Sequence, residues 1–110
     1  MQGQSLKELG EEQLAAAREA SSGRAGFTIF GGHERDLRQT LIALVEGRML
    51  GEHDAPGEAS LQVLRGRVRL RTGSDTWVGA EGDYLVIPRN REELLAETDA
   101  VVLLTVASRA

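Results

Sequence analysis

Leu61-Gln62-Val63-Leu64-Arg65-Gly66-Arg67-Val68-Arg69-Leu70-Arg71 decides the architecture of this chain. Successive side chains of a β-strand point to opposite faces. After Gly66 the alternation is strict, with Val68 and Leu70 on one face and Arg67, Arg69 and Arg71 on the other. Gly66, between Leu64 and Val68, breaks the stretch into two strands joined by a tight turn. One face is therefore core and the other is a stripe of arginines. The stripe reads either as a solvated outer face paired with the chain's carboxylates or as a phosphate-binding surface.

The same punctuation recurs on both sides. Short β-type runs at Gly26–Phe30, Leu37–Val45, Ala59–Leu64, Arg67–Thr72, Thr76–Val78, Tyr84–Ile87, Glu93–Glu97 and Val101–Val106 are separated by Gly, Asp, Asn or Pro. Regularly spaced short strands predict an all-β sandwich or barrel, and eight is the jelly-roll number. Leu41–Val45 and Val101–Leu104 are apolar on both faces, which calls for cover beyond the barrel, from a helix or a second subunit. This pattern is the basis for expecting a homodimer. Before the strands, Ser5-Leu6-Lys7-Glu8 has the form of a capping box, and Leu6, Leu9, Leu14 and Ala17 give an apolar stripe that ends at Ser21-Ser22-Gly23. One helix is predicted over residues 6–20, although Gly10 within it costs about 1 kcal/mol relative to alanine. The expected organisation is a helical extension over 1–24 and a β-barrel domain over 25–110.

Composition sets the limits. The 110 residues suffice for one domain with one modest core. The chain has no cysteine, which excludes disulfides, thiolate catalysis and thiolate metal sites. A net charge of −4 disfavours nonspecific nucleic-acid binding. Aromatic residues are only 4%, too few to interleave a base-stacking platform with the arginines. No apolar run approaches the roughly 20 residues of a membrane span, and Met1-Gln2-Gly3-Gln4-Ser5 lacks the pattern of a signal peptide, so the expected compartment is the cytoplasm. Of the 13 basic residues only Lys7 is a lysine, a bias that fits a GC-rich bacterial genome.

Gly47, His53, Ala55, Ala59 and Gly66, followed by Gly82 and Pro88, reproduce the order and spacing of glycines and proline in two paired motifs. On these residues the stretch from about Gly26 to Val106 resembles the cupin superfamily, in its small single-domain bacterial form. The resemblance implies a double-stranded β-helix, the cupin jelly-roll barrel, with one N-terminal α-helix added. It also implies a metal site, because in that family the first motif supplies two histidines and a Glu or Gln, and the second one more histidine. Mapped here, only the first histidine survives, as His53. Ala55 and Ala59 take the next two ligand positions, and the last falls on Glu92, or on Glu93 if the intervening loop is counted the longer way. The metal motifs are degenerate.

Two histidine- or carboxylate-bearing positions bind a first-row metal weakly unless others join. His33, in Gly31-Gly32-His33-Glu34-Arg35, could complete a set with His53 and Glu92, but the plainer reading is a surface turn residue. Glu58, next to the lost position, should point the other way by alternation. Without a metal, the barrel interior is expected to offer an apolar cavity for a small organic ligand. Arg38, Gln39, Thr40 and Trp77 are candidates to line it with His53 and Glu92, the guanidinium to hold a carboxylate and the indole to stack. Three functions compete: a metal-poor binding or dimeric interaction module; a metal-dependent enzyme of the dioxygenase or isomerase type with a displaced ligand set; and a nucleic-acid partner acting through the arginine stripe. No Ser-His-Asp arrangement or phosphate-binding glycine loop is present to add a fourth.

Overall fold

The computed structural model describes residues 1–32, 34–54, 58–88 and 91–107, with the side chains of residues 52–54 outside that description. Helix α1 (Leu6–Glu19) precedes β1 (Arg24–Phe30), β2 (Leu37–Leu44), β3 (Met49–Asp54), β4 (Glu58–Arg65), β5 (Arg67–Thr72), β6 (Asp75–Ala80), β7 (Tyr84–Ile87), β8 (Arg91–Ala96) and β9 (Ala100–Ala107). The strands form two antiparallel sheets, one five-stranded in the order β1-β2-β9-β4-β7 and one four-stranded in the order β3-β8-β5-β6. From β2 onward the chain passes repeatedly between the sheets, as a jelly roll requires.

The described residues contain nine strands where the sequence predicts eight. The addition is β3, whose Met-Leu-Gly-Glu-His-Asp has little β-branched or alternating character. Pairing of Met49 with Leu95 and Leu50 with Leu94 on β8 fixes it instead, a case of tertiary contact overriding local preference. Between the sheets lies one apolar core, with Leu44, Leu61, Val63, Val68, Leu70, Leu94 and Val102 all buried. Trp77 packs against it from β6, opposite Leu70. The indole lies over Gly79, where a Cβ would stand 2.1 Å from the ring, so only glycine leaves room for it.

A second cluster meets the demand of the doubly apolar strands. Leu14 and Ala17 of α1 pack on Leu41, Ala43 and Val101. The cover therefore comes from the chain's own helix. Ser5 caps it, with its hydroxyl accepting from the Glu8 N–H at 3.2 Å. Gly10 gains a reason that propensity alone does not give. A Cβ there would come within 3.2 Å of Val101 Cγ1, so the glycine allows α1 to approach β9. Among the described residues no helix is long and apolar enough to cross a membrane.

The arginine stripe lies on the outer face of the four-stranded sheet and is paired. Arg67 Nε meets Glu97 Oε1 at 2.8 Å, Arg69 meets Glu97 Oε2 at 2.7 Å, and Arg71 bonds to Glu93. Exposed pairs of this kind add little stability each, about 0–1 kcal/mol.

At one end of the barrel the turn between β4 and β5 is locked to the turn between β8 and β9. The Arg67 N–H donates to Thr98 Oγ1 at 3.0 Å, and the Glu97 N–H donates to the Arg67 carbonyl at 2.9 Å. Gly66 adopts φ +79°, and a Cβ there would stand 2.1 Å from the Asp99 carbonyl oxygen. Asp99 extends the lock in two directions, accepting from the Glu46 N–H at 2.8 Å and pairing with Arg18 of α1 at 2.9 Å. The Glu46 amide, and then Arg18, hold the Asp99 carboxyl below its ordinary value of 3.8.

Gly66→Ala combines a left-handed backbone with a clash against backbone, and is expected to destabilise the fold by at least about 2 kcal/mol. Urea denaturation of wild type and variant measures this. Because Asp99 is more acidic folded than unfolded, its contribution is full above the ordinary carboxyl range and is lost as the pH falls through its lowered folded value. The melting temperature of Asp99→Asn should accordingly lie below wild type at pH 6, and the gap should narrow as the pH falls below the ordinary carboxyl range; a gap that stays constant into acid contradicts this assignment.

Candidate functional site

The alternation that builds the core also decides which side chains reach the other end of the barrel. On β5, Val68, Leu70 and Thr72 face inward, and on β8, Glu92, Leu94 and Ala96 do so. Thr72 pairs directly with Glu92, and Glu92 with position 53 of β3. In the five-stranded sheet, Arg38 of β2, Val106 of β9, Ala59 of β4 and Ile87 of β7 form one register row, and Ile87 lines the same small space as Glu92. One layer thus closes the apolar interior, with Glu92, Thr72 and Arg38 as its described polar members.

Glu92 is buried, with 5% of its surface exposed, beside Thr72 at 7%. A buried carboxyl at the end of an apolar interior is a costly placement and a mark of a functional site. The register also settles which glutamate faces in. Glu93 points outward to Arg71, so the inward position is Glu92.

The expected apolar cavity is not found among the described residues. Beneath Glu92, the side chains of Ile42, Leu50, Leu61, Leu70, Leu94 and Leu104 close on one another and leave about 10 Å³, room for about one water. Bulky leucines and isoleucine fill the space, so a ligand site within the barrel is confined to its outer layer. Gln39 does not line the interior either. Strand alternation directs Arg38 inward and Gln39 outward, where Gln39 Nε2 donates to Thr105 Oγ1 at 3.3 Å. Trp77 is half-buried and serves packing. Glu58 points outward as alternation requires, and Ala59, at the lost ligand position, is buried in the core. His33 and Ala55 lie outside the described residues, as does the side chain of His53.

The structure therefore brings Glu92 and position 53 into direct register and sets Arg38 in the facing sheet, while Gln39 and Trp77 stand apart. Thr72 was not singled out from sequence, although the alternation of Arg67–Thr72 places it on the core face. A divalent metal does not fit the described part of this layer. Ala59 offers no donor, and among the described residues no three His, Asp or Glu side chains converge to hold an ion.

No family model matches the sequence, and no curated protein matches it. Solved structures do match. A conserved protein of unknown function from Streptococcus pyogenes superposes with a TM-score of 0.73 at 26% identity, over 83% of this chain and 79% of that one. A cupin superfamily protein from Desulfitobacterium hafniense gives 0.72 at 11% identity over 78% of each chain. A salicylate 1,2-dioxygenase from Pseudaminobacter salicylatoxidans gives 0.76 at 19% identity, over 91% of this chain but 33% of the dioxygenase. With the two-sheet barrel and the inward register just described, these likenesses identify the fold of this chain as that of a small cupin.

Proposed function

We propose that this chain is a metal-poor cupin that binds a small organic molecule at the end of its barrel, in the cytoplasm of a bacterium. The observation that carries this reading is the buried carboxyl of Glu92 in the layer that ends a filled apolar interior. Arg38 lies in the facing sheet and is exposed to solvent. A guanidinium accepts a carboxylate in a two-pronged hydrogen bond, and Glu92 can accept from a hydroxyl or amine of the same molecule. The chemistry fits a small hydroxy- or amino-carboxylate held at the surface of the barrel. His53, in register with Glu92, is a further candidate to touch it.

A second reading is a metal-dependent enzyme of the dioxygenase or isomerase type with a displaced ligand set. It rests on the direct pairing of position 53 with Glu92 and on the likeness to a protein named as a dioxygenase, of which this chain spans about a third. His33 would be a recruit to that set.

A panel of small hydroxy- and amino-carboxylates should contain members that raise the melting temperature by mass action. Arg38→Ala, at an exposed position, should weaken such binding by about tenfold or more, the worth of a charge-assisted bond. No stabilisation by any member of the panel would sink the first reading. Elemental analysis of protein titrated with iron, manganese, nickel and zinc separates the two: the first predicts no tight metal, whereas near-stoichiometric metal that His53→Ala removes would establish the second.

A further inference from the structure

Outside the barrel, a groove of about 580 Å³ lies between the N-terminal half of α1 and the five-stranded sheet, within the roughly 300–1,000 Å³ of small-molecule sites. Its floor is apolar. Gly10 of α1 sits against Val101 of β9, with Leu6 and Leu64 beside them. The walls are built by local geometry. β4 shifts its register against β9 between Val63 and Arg65. Strict alternation would send Arg65 into the core with Val63; the bulge turns it outward next to Leu64, and both line the groove. Glu81, in the turn from β6 to β7, is held beside β4, because the Gly82 N–H donates to the Val63 carbonyl at 2.8 Å and the Val63 N–H to the Asp83 carbonyl at 2.9 Å. Lys7 and Glu11, about one turn apart on α1, form the other wall.

Each wall thus carries one cation and one carboxylate, all four of them exposed. Among the described residues, none of these four side chains makes a hydrogen bond or an ion pair. That sets them apart from the arginines of β5, each of which is paired with Glu93 or Glu97. The Asp99 carboxylate lies within the field of Arg65 but is taken by Arg18 and the Glu46 amide.

From this arrangement we propose that the groove binds a small zwitterion with an apolar body, the chemistry of a short apolar peptide with free ends. Its carboxylate pairs with Lys7 and Arg65, its ammonium with Glu11 and Glu81, and its side chains lie on Leu6, Leu64 and Val101. Charge complementarity selects this occupant. A simple anion or cation would meet a like charge for each opposite one. A neutral apolar molecule would desolvate four charges and pair with none. A zwitterion offers both signs, and its carboxylate suits the two parallel hydrogen bonds of a guanidinium. The groove lies at the Gly66 end of the barrel, opposite the end that holds Glu92 and Arg38, so the inference does not rest on the ligand reading above.

Nuclear magnetic resonance of isotope-labelled protein tests it, with dileucine added to about 10 mM, the weak end of small-molecule affinity. Dileucine acetylated and amidated at its ends serves as the uncharged counterpart. The amide signals of Leu6, Gly10, Leu64 and Val101 should shift and saturate with free dileucine and stay in place with the capped form. Arg65→Ala and Glu81→Gln, both at exposed positions, should each weaken binding about tenfold or more. Arg69→Ala, which removes an arginine of the opposite sheet, should bind as wild type does, and the spectrum of each variant reports that it is folded. Absence of saturable shifts, equal binding of the capped peptide, or equal loss in Arg69→Ala would each overturn the inference. Shifts confined to the surroundings of Thr72 and Glu92 would overturn it too, and would place the peptide at the other end of the barrel.

Discussion

The contact on which the rest of this structure depends is the close approach of Gly66 to the Asp99 carbonyl. Three passages between the sheets and the helix converge there. Gly66 carries the chain from β4 to β5, Glu97 to Asp99 carry it from β8 to β9, and the Glu46 amide, which Asp99 holds, belongs to the passage from β2 to β3. Arg18 ties α1 to the same carboxylate. Packing of one apolar face on another has no direction, so it does not by itself fix how two sheets sit. Directed hydrogen bonds at one closed end do. Once that end is set, strand alternation carries the register to the other end and determines which side chains meet there.

That division of labour explains the character of the candidate site. The interior between the two ends is filled, and the space usually left for a ligand in a barrel is taken by leucine and isoleucine side chains. Ala59, which stands where the resembling family has a metal ligand, belongs to this core. Glu92 is the buried carboxyl of this end layer, with Thr72 beside it and Arg38 in the facing sheet. On the reading proposed above, that last layer presents a carboxyl and a guanidinium to a small molecule.

The two outer faces follow different rules. On the four-stranded sheet the arginines of β5 pair with Glu93 and Glu97 in water, so that face is charged and solvated. On the five-stranded sheet, α1 covers the part nearest the closed end and stops, and the remainder mixes exposed apolar side chains such as Tyr84 and Val86 with Gln39, Ser60 and Thr105. Helix cover answers the doubly apolar character of Leu41 to Leu44.

The sequence by itself determined what depends on neighbours along the chain. Alternation in Arg67–Arg71 assigned core and surface, Gly66 marked the turn, Ser5 marked the helix start, and the spaced glycines with Pro88 pointed to the barrel. Those signals are local, because strand period, backbone sterics and capping act within a few residues. What depends on contacts far apart in sequence was decided only by the tertiary structure. β3 exists through its pairing with β8, Glu92 rather than Glu93 faces inward through its register with Thr72, and Gln39 turns outward because Arg38 before it turns in. Likewise, whether the barrel holds a cavity depends on how side chains from both sheets interlock, which no single stretch of sequence specifies.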